Sequence, residues 1–205
     1  IIAYRTGLDI SPVNSSPIQG QQTWDQLKRG AGVHKHLRDH LFCRALEICI
    51  EHNVPLQVHT GMGDYDVNLI NCRPALLMNL LRFPRFITGK VVLVHTGYPY
   101  HTEAGYLANM LPNVYCDVSE GLPFAGQAGE RIYREVLEMA PLSKVMYGAD
   151  GYVAPEIAYV GAILGKQALT KTLNGLVDDG FLSLAEGQEA AKWILAENAL
   201  RLYKG

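Results

Sequence analysis

Between Leu56 and Asp150 short apolar runs alternate with longer stretches of helical periodicity. That alternation constrains this chain more than any other feature. Val91–His95 is almost wholly β-branched or Leu, as a strand needs when both of its faces are covered. Strands of this kind separated by helices predict a parallel sheet with helices packed against it. Five strands are expected, at about Ile1–Leu8, Leu56–Thr60, Val91–His95, Val114–Val118 and Lys144–Tyr147. A closed eightfold barrel takes about 250 residues, so a chain of 205 residues with five units reads as part of a barrel. A doubly wound open sheet is the rival architecture. It calls for a glycine-rich phosphate loop after its first strand, and Arg5-Thr6-Gly7-Leu8 lacks the GxGxxG pattern.

The connections follow from local signals. A polar loop is predicted from the first strand to about Gly32. A helix is predicted over about Lys35–His52, presenting Leu37, Leu41, Ala45, Ile48 and Cys49 to the core and ended by Asn53 and Pro55. Pro74 opens a helix that stops before Pro84. Thr102 is read as the cap of the next helix, another spans about Gln127–Met139, and helices fill the chain from about Pro155. Trp24 and Trp193 read as packing residues. Ile1-Ile2-Ala3-Tyr4 reads as a buried strand from its first residue, which suggests a piece of a longer chain, the C-terminal part of one domain spanning 1–205.

Composition narrows the function classes. A net charge of -2 gives no support for nucleic acid or an anionic membrane as partner, and no apolar run reaches the roughly 20 residues of a bilayer span. The four cysteines (Cys43, Cys49, Cys72 and Cys116) form no CxxC pair and read as reduced thiols of a cytoplasmic protein. A small-molecule substrate and a homo-oligomer are the expected partners.

In barrels the chemistry sits at the C-terminal ends of the strands. Two strands here end alike, in Val58-His59-Thr60-Gly61 and Val94-His95-Thr96-Gly97, and the last ends in Tyr147-Gly148-Ala149-Asp150. Two imidazoles and a carboxylate so placed are able to converge on one metal ion. His59 precedes His95 by 36 residues, one strand–helix unit, and His95 precedes Asp150 by 55, with the Val114–Val118 strand between. Each glycine lets the backbone turn sharply away behind its ligand. His34-Lys35-His36 has ligand letters, but at a helix start residues two apart do not share a face, so it is read as surface.

With these motifs the chain resembles the amidohydrolase-related family of metal-dependent hydrolases, and most of all the amidohydrolase domain of nodulin/glutamine-synthetase-like fusion proteins. The segments Ala3–Leu8, Val58–Asp64, Val94–Pro99, Asp117–Gly121 and Val145–Asp150 carry the likeness by their order and spacing. The resemblance implies a (β/α)8 barrel of which this chain holds about strands four to eight. His59 then lies on strand five, His95 on strand six and Asp150 on strand eight, while the His-x-His of strand one lies outside the chain. It further implies a divalent metal ion, zinc in the first instance, held by His59 and Asp150. Asp150 and His95 are the catalytic pair. Asp150 would take a proton from the metal-activated water, and His95 would polarise the substrate carbonyl. Arg5, Asp64, Tyr98 and Glu120 are the substrate-binding candidates, with an internal ion pair the competing reading for Arg5. Hydrolysis of a C–N bond in a small carboxylate-bearing substrate is the leading reading. Non-oxidative decarboxylation and an inactive domain with an assembly role are the alternatives.

Overall fold

The computed structural model describes residues 3–13, 16–30, 35–119, 121–151 and 154–204. Four parallel strands form one sheet in the order β1 (Leu56–His59), β2 (Val91–Val94), β3 (Val114–Asp117), β4 (Val145–Met146). Each pairs with the next in sequence, Leu56 opposite Val91, Val91 opposite Val114 and Cys116 opposite Val145. A doubly wound sheet reverses its strand order at a switch point, whereas this monotonic order is the order of a barrel wall.

The sheet has two faces of different character. Val58, Val91, Leu93, Val114, Cys116 and Val145 face the helical layer and join one large core with Phe42, Leu46, Leu107, Ile132 and Leu169. Val92 and Met146 point the other way and pack with Leu202. The helices of the outer layer are α1 (Pro17–Lys28), α2 (Lys35–Glu51), a single turn α3 (Met78–Leu81), α4 (His101–Met110), α5 (Gly121–Ala125), α6 (Gly129–Leu137), α7 (Pro155–Asp178) and α8 (Leu184–Lys192). A π-helical turn, Trp193–Glu197, leads into α9 (Asn198–Lys204).

The predicted strand at Ile1–Leu8 is not a strand where it is described. Ala3–Thr6 is a 3-10 turn, and Ile1 and Ile2 lie outside the described residues. The turn is tied instead to neighbouring loops, through Leu8 N–H to the Asn71 carbonyl at 2.8 Å. An apolar run this short carries no periodicity able to separate a strand from a turn. Among the described residues four strands of the barrel wall are formed.

The predicted loop before Gly32 contains α1, which opens with Ser16 as cap to the Gln19 N–H and Pro17 in its first turn. Its few apolar residues hid its period, but Ser-Pro is a helix-start signal in its own right. Trp24 on α1 is half exposed rather than packed. Trp193 is partly buried, donating Nε1–H to Glu189 at 3.0 Å under the Arg201 guanidinium.

α2 has the predicted span, and Asn53 at φ 52° with Val54 N–H bonded to the Cys49 carbonyl closes it as a left-handed cap. The buried face is another one, however. Asp39, Phe42, Cys43 and Leu46 are inside, while Leu41 and Ile48 are exposed. The period fits either register, and the pairing of Lys35 and Arg38 with Asp39 selects the one that buries a carboxylate.

α4 starts at His101 behind Tyr100, with no side-chain cap, so Thr102 does not play the predicted role. All four cysteines are free thiols. Among the described residues no helix is long and apolar enough to cross a membrane.

The outer edge of β4 is covered from within the chain. Tyr147 N–H donates to the Ile194 carbonyl at 2.8 Å, and the Asn198 side-chain amide donates to the carbonyls of Leu142 at 2.8 Å and Val145 at 2.7 Å. The π-turn supplies the first acceptor and the start of α9 supplies the donor. α9 then crosses the sheet's second face, where Tyr203 meets the Gln57 amide of β1 at 2.7 Å.

Candidate active site

His59 is the last residue of β1, His95 directly follows β2, and Asp150 lies four residues beyond β4. Parallel strands put all three at one edge of the sheet, and the side chains meet there. His95 Nε2 lies 3.1 Å from His59 Nδ1 and 3.8 Å from Asp150 Oδ2. The two rings stand edge to face with centroids 4.3 Å apart.

The backbone behind these residues is strained. His95 has φ 67°, Thr96 φ 47° and Asp150 φ 51°, all in the left-handed region that costs a side-chain-bearing residue about 1–2 kcal/mol. Such outliers gather where a side chain has to be aimed against the run of its own strand. Gly61 and Gly97, at φ 76° and 70°, accept the same region without that cost, as predicted for the residues behind the two histidines.

The electrostatics favour neutral rings. Burial, with the neighbouring His95 ring adding to it, lowers the pKa of His59 to about 4 against the opposing pull of the Met62 carbonyl and of Asp150. Burial likewise brings His95 to about 4, against Asp150 and Ser119. Neutral imidazole is the form that binds a metal ion. His59 Nε2 sits 2.5 Å from the Met62 carbonyl, which only accepts, so the hydrogen is on Nε2 and Nδ1 presents a lone pair. Two neutral imidazoles beside a carboxylate fit a divalent cation in kind. Among the described residues no three His, Cys, Asp or Glu side chains are arranged to hold one.

A second layer lies beneath His95. Its backbone N–H donates to Asp117 Oδ1 at 3.1 Å, and Nδ1 lies 2.7 Å from the Ser119 hydroxyl, which in turn donates to Asp117. Burial pushes the Asp117 carboxyl up, while the bonds from Ser119 and His95 pull it down. Asp117 is absent from the predicted site residues. Its signal was a carboxylate inside the otherwise apolar Val114–Val118 run, with Ser119 two residues on and so on the same side.

The substrate candidates are placed less uniformly. Arg5 pairs with Asp64 and with both carboxylate oxygens of Asp66 at 3.0 Å, an exposed ion pair rather than the internal one weighed against substrate binding, and in it two predicted binding residues engage each other. The Tyr98 ring stacks on His101 of α4 with centroids 5.4 Å apart, and its carbonyl accepts Met62 N–H at 2.8 Å. Glu120 and His34 lie outside the described residues. His36 is exposed in the first turn of α2, as a surface residue should be.

A family model described as amidohydrolase matches residues 26–205. The chain belongs to the amidohydrolase family. The fungal protein fluG of Emericella nidulans is 35% identical over 218 residues, a match covering 100% of this chain and 25% of that protein. A Lactobacillus casei ATCC 334 crystal structure, whose assignment as a metal-dependent hydrolase is itself provisional, superposes with a TM-score of 0.90 at 32% identity. It covers 100% of this chain and 54% of its own. The glucuronate isomerase of Caulobacter crescentus shares the fold at a TM-score of 0.71 and 16% identity, over 92% of this chain and 44% of that one. This amidohydrolase chain thus spans about a quarter of the curated relative and about half of the similar solved structure, and its parallel sheet is part of an amidohydrolase barrel wall.

Proposed function

We propose that the protein to which this chain belongs hydrolyses a C–N, amide-type bond in a small carboxylate-bearing substrate, with zinc as its divalent ion. The observation that carries the reading is the meeting of His59, His95 and Asp150 at the C-terminal edge of one parallel sheet. His59, through Nδ1, and Asp150 would hold the ion, with the remaining ligands supplied from outside this chain. A divalent ion in such a site acidifies a bound water toward neutrality and polarises a carbonyl. Asp150, partly exposed where His95 is buried, would receive the proton at a carboxylate oxygen. His95, behind it, lines the wall against which the scissile carbonyl would lie. Arg5, released from Asp64 and Asp66, would take the substrate carboxylate bidentately, with Asp64 and Tyr98 at the rim and Glu120 as a further binding candidate by resemblance.

The test is Asp150→Asn in the full-length protein, with a panel of amides of small amino-dicarboxylic acids as substrates. Metal content is measured on each sample. Turnover should fall by about a hundredfold or more at equal metal content, since removing a general base costs on the order of 10²–10⁴ in rate. Ammonia or amine release distinguishes hydrolysis from loss of carbon dioxide. Near-normal turnover at equal metal content would remove Asp150 from this role.

A further inference from the structure

We infer that Asp117 is a positioning residue that, through the Ser119 hydroxyl, fixes the proton of His95 on Nδ1 and turns a bare Nε2 toward His59 and Asp150. Its functional weight rests on the hydrolase reading above; its geometry does not.

The argument is a count of hydrogens. Asp117 Oδ1 accepts His95 N–H and Ser119 N–H, each at 3.1 Å, and lies in hydrogen-bond contact with Ser119 Oγ. An oxygen already accepting two N–H bonds takes the third contact as acceptor too, so the hydrogen between the two oxygens belongs to serine. A hydroxyl has one hydrogen to donate. With it committed to Asp117, Ser119 Oγ meets His95 Nδ1, 2.7 Å away, only as an acceptor. The imidazole hydrogen is therefore on Nδ1, and the neutral ring has a lone pair at Nε2.

The hydroxyl has little freedom to turn elsewhere. Ser119 is 4% exposed. Gly148 packs so closely on it that a Cβ at position 148 would lie 2.9 Å from Ser119 Cβ. The ends of β2 and β3 thus meet at one hydroxyl, through His95 and Asp117, and Gly148 beyond β4 packs on the Cβ that carries it.

The consequence concerns what His95 is able to do. His59 is fixed by the Met62 carbonyl with its own lone pair at Nδ1. Two bare nitrogens then face each other across 3.1 Å, a distance that suits a shared proton or a nearby cation and repels otherwise. Neutral His95 offers the site an acceptor and no donor. To polarise a carbonyl through Nε2–H it must first gain a proton there. Donation from Nε2–H to the substrate carbonyl, the role suggested by family resemblance, therefore requires a hydrogen that this bonding pattern places on Nδ1 instead.

The experiment is a long-range proton–nitrogen correlation spectrum of the full-length protein, labelled with ¹⁵N-histidine and stripped of metal by chelation. His59→Gln and His95→Gln variants supply the assignments. The wild type should show a protonated Nδ1 and an unprotonated Nε2 at His95. In Ser119→Ala the two nitrogens should lose that contrast, and Ser119→Thr, which keeps the hydroxyl, should restore it. A proton on Nε2 in the wild type, or an unchanged pattern in Ser119→Ala, would overturn the inference. The wild-type spectrum decides the main point without any variant. A spectrum as stated from a protein that binds no zinc would keep the inference and sink the hydrolase reading instead.

Discussion

Gly61→Ala tests whether the site is held by backbone packed on backbone. Gly61 has φ 76°, and a Cβ built on it would lie 2.6 Å from the Tyr98 nitrogen and closer still to the Gly97 carbonyl carbon and the Tyr98 oxygen. None of these atoms ends a flexible side chain, so the loops behind His59 and His95 must separate. The left-handed conformation costs alanine about 1–2 kcal/mol, from which about 0.4–1 returns through the stiffer unfolded chain. Forcing a methyl into packed backbone adds about 1–3 kcal/mol. The net expectation is a loss of about 2–4 kcal/mol. Gly180→Ala is the control, because Gly180 has φ 77° with nothing within 4 Å, and it should cost about 1 kcal/mol or less. Urea unfolding of the full-length protein and both variants measures the difference. Zinc affinity should fall in Gly61→Ala and hold in Gly180→Ala. Equal stability costs at the two glycines would refute the claim that the loop junction, rather than backbone conformation alone, makes Gly61 necessary.

Asn198→Ala should destabilise by about 1–3 kcal/mol, since the buried Val145 carbonyl and the part-buried Leu142 carbonyl lose their donor at 2.7 and 2.8 Å. A thermal or urea shift worth under about 0.5 kcal/mol would show that the covering of β4 is incidental. Cys116, whose thiol burial pushes up to about 12, should hold almost no thiolate at pH 8 and stay unlabelled by iodoacetamide in the native state, while the partly exposed Cys49 reacts. Peptide mass spectrometry after timed labelling reads this, and equal labelling rates would contradict it.

What was legible in the sequence was whatever repeats. The strands at Leu56, Val91, Val114 and Val145 stood out because a wall buried on both faces tolerates only long apolar side chains. His59, His95 and Asp150 stood out because they end those strands in a common register. What stayed hidden depends on partners distant in the chain. The outer edge of β4 is covered by Ile194 and Asn198, some fifty residues further on, and no local signal links them. Arg5 looked free to bind an anion until the loop bearing Asp64 and Asp66 folded against it. Asp117 looked like one polar residue in a strand, because its meaning lies in Ser119 and in the backbone of His95. The face of α2 was misassigned for the same reason: the ion pairs of Asp39, not the apolar period, choose which side goes in.

The turn after β2 shows how strain and bonding are balanced at this site. His95 and Thr96 both occupy left-handed backbone, which at about 1–2 kcal/mol each adds about 2–4 kcal/mol against folding. Six hydrogen bonds oppose it. His95 N–H goes to Asp117 at 3.1 Å, Thr96 Oγ–H to the His95 carbonyl at 2.8 Å and Thr60 Oγ–H to the Val94 carbonyl at 2.7 Å. The backbone N–H groups of Tyr98, Tyr100 and Met62 close the loop onto the carbonyls of His95, Gly97 and Tyr98 at 3.1, 2.6 and 2.8 Å. At a net of about 1 kcal/mol each they outweigh the strain, which is why the turn persists. A relaxed turn would be more stable locally but would not serve. In an extended continuation of β2 the His95 ring would stand across the sheet, away from either His59 Nδ1 or Ser119 Oγ. The left-handed turn lets one residue give its backbone N–H to Asp117, its Nδ1–H to Ser119 and its Nε2 lone pair to the site, so the strain at His95 is the geometric condition for its chemistry.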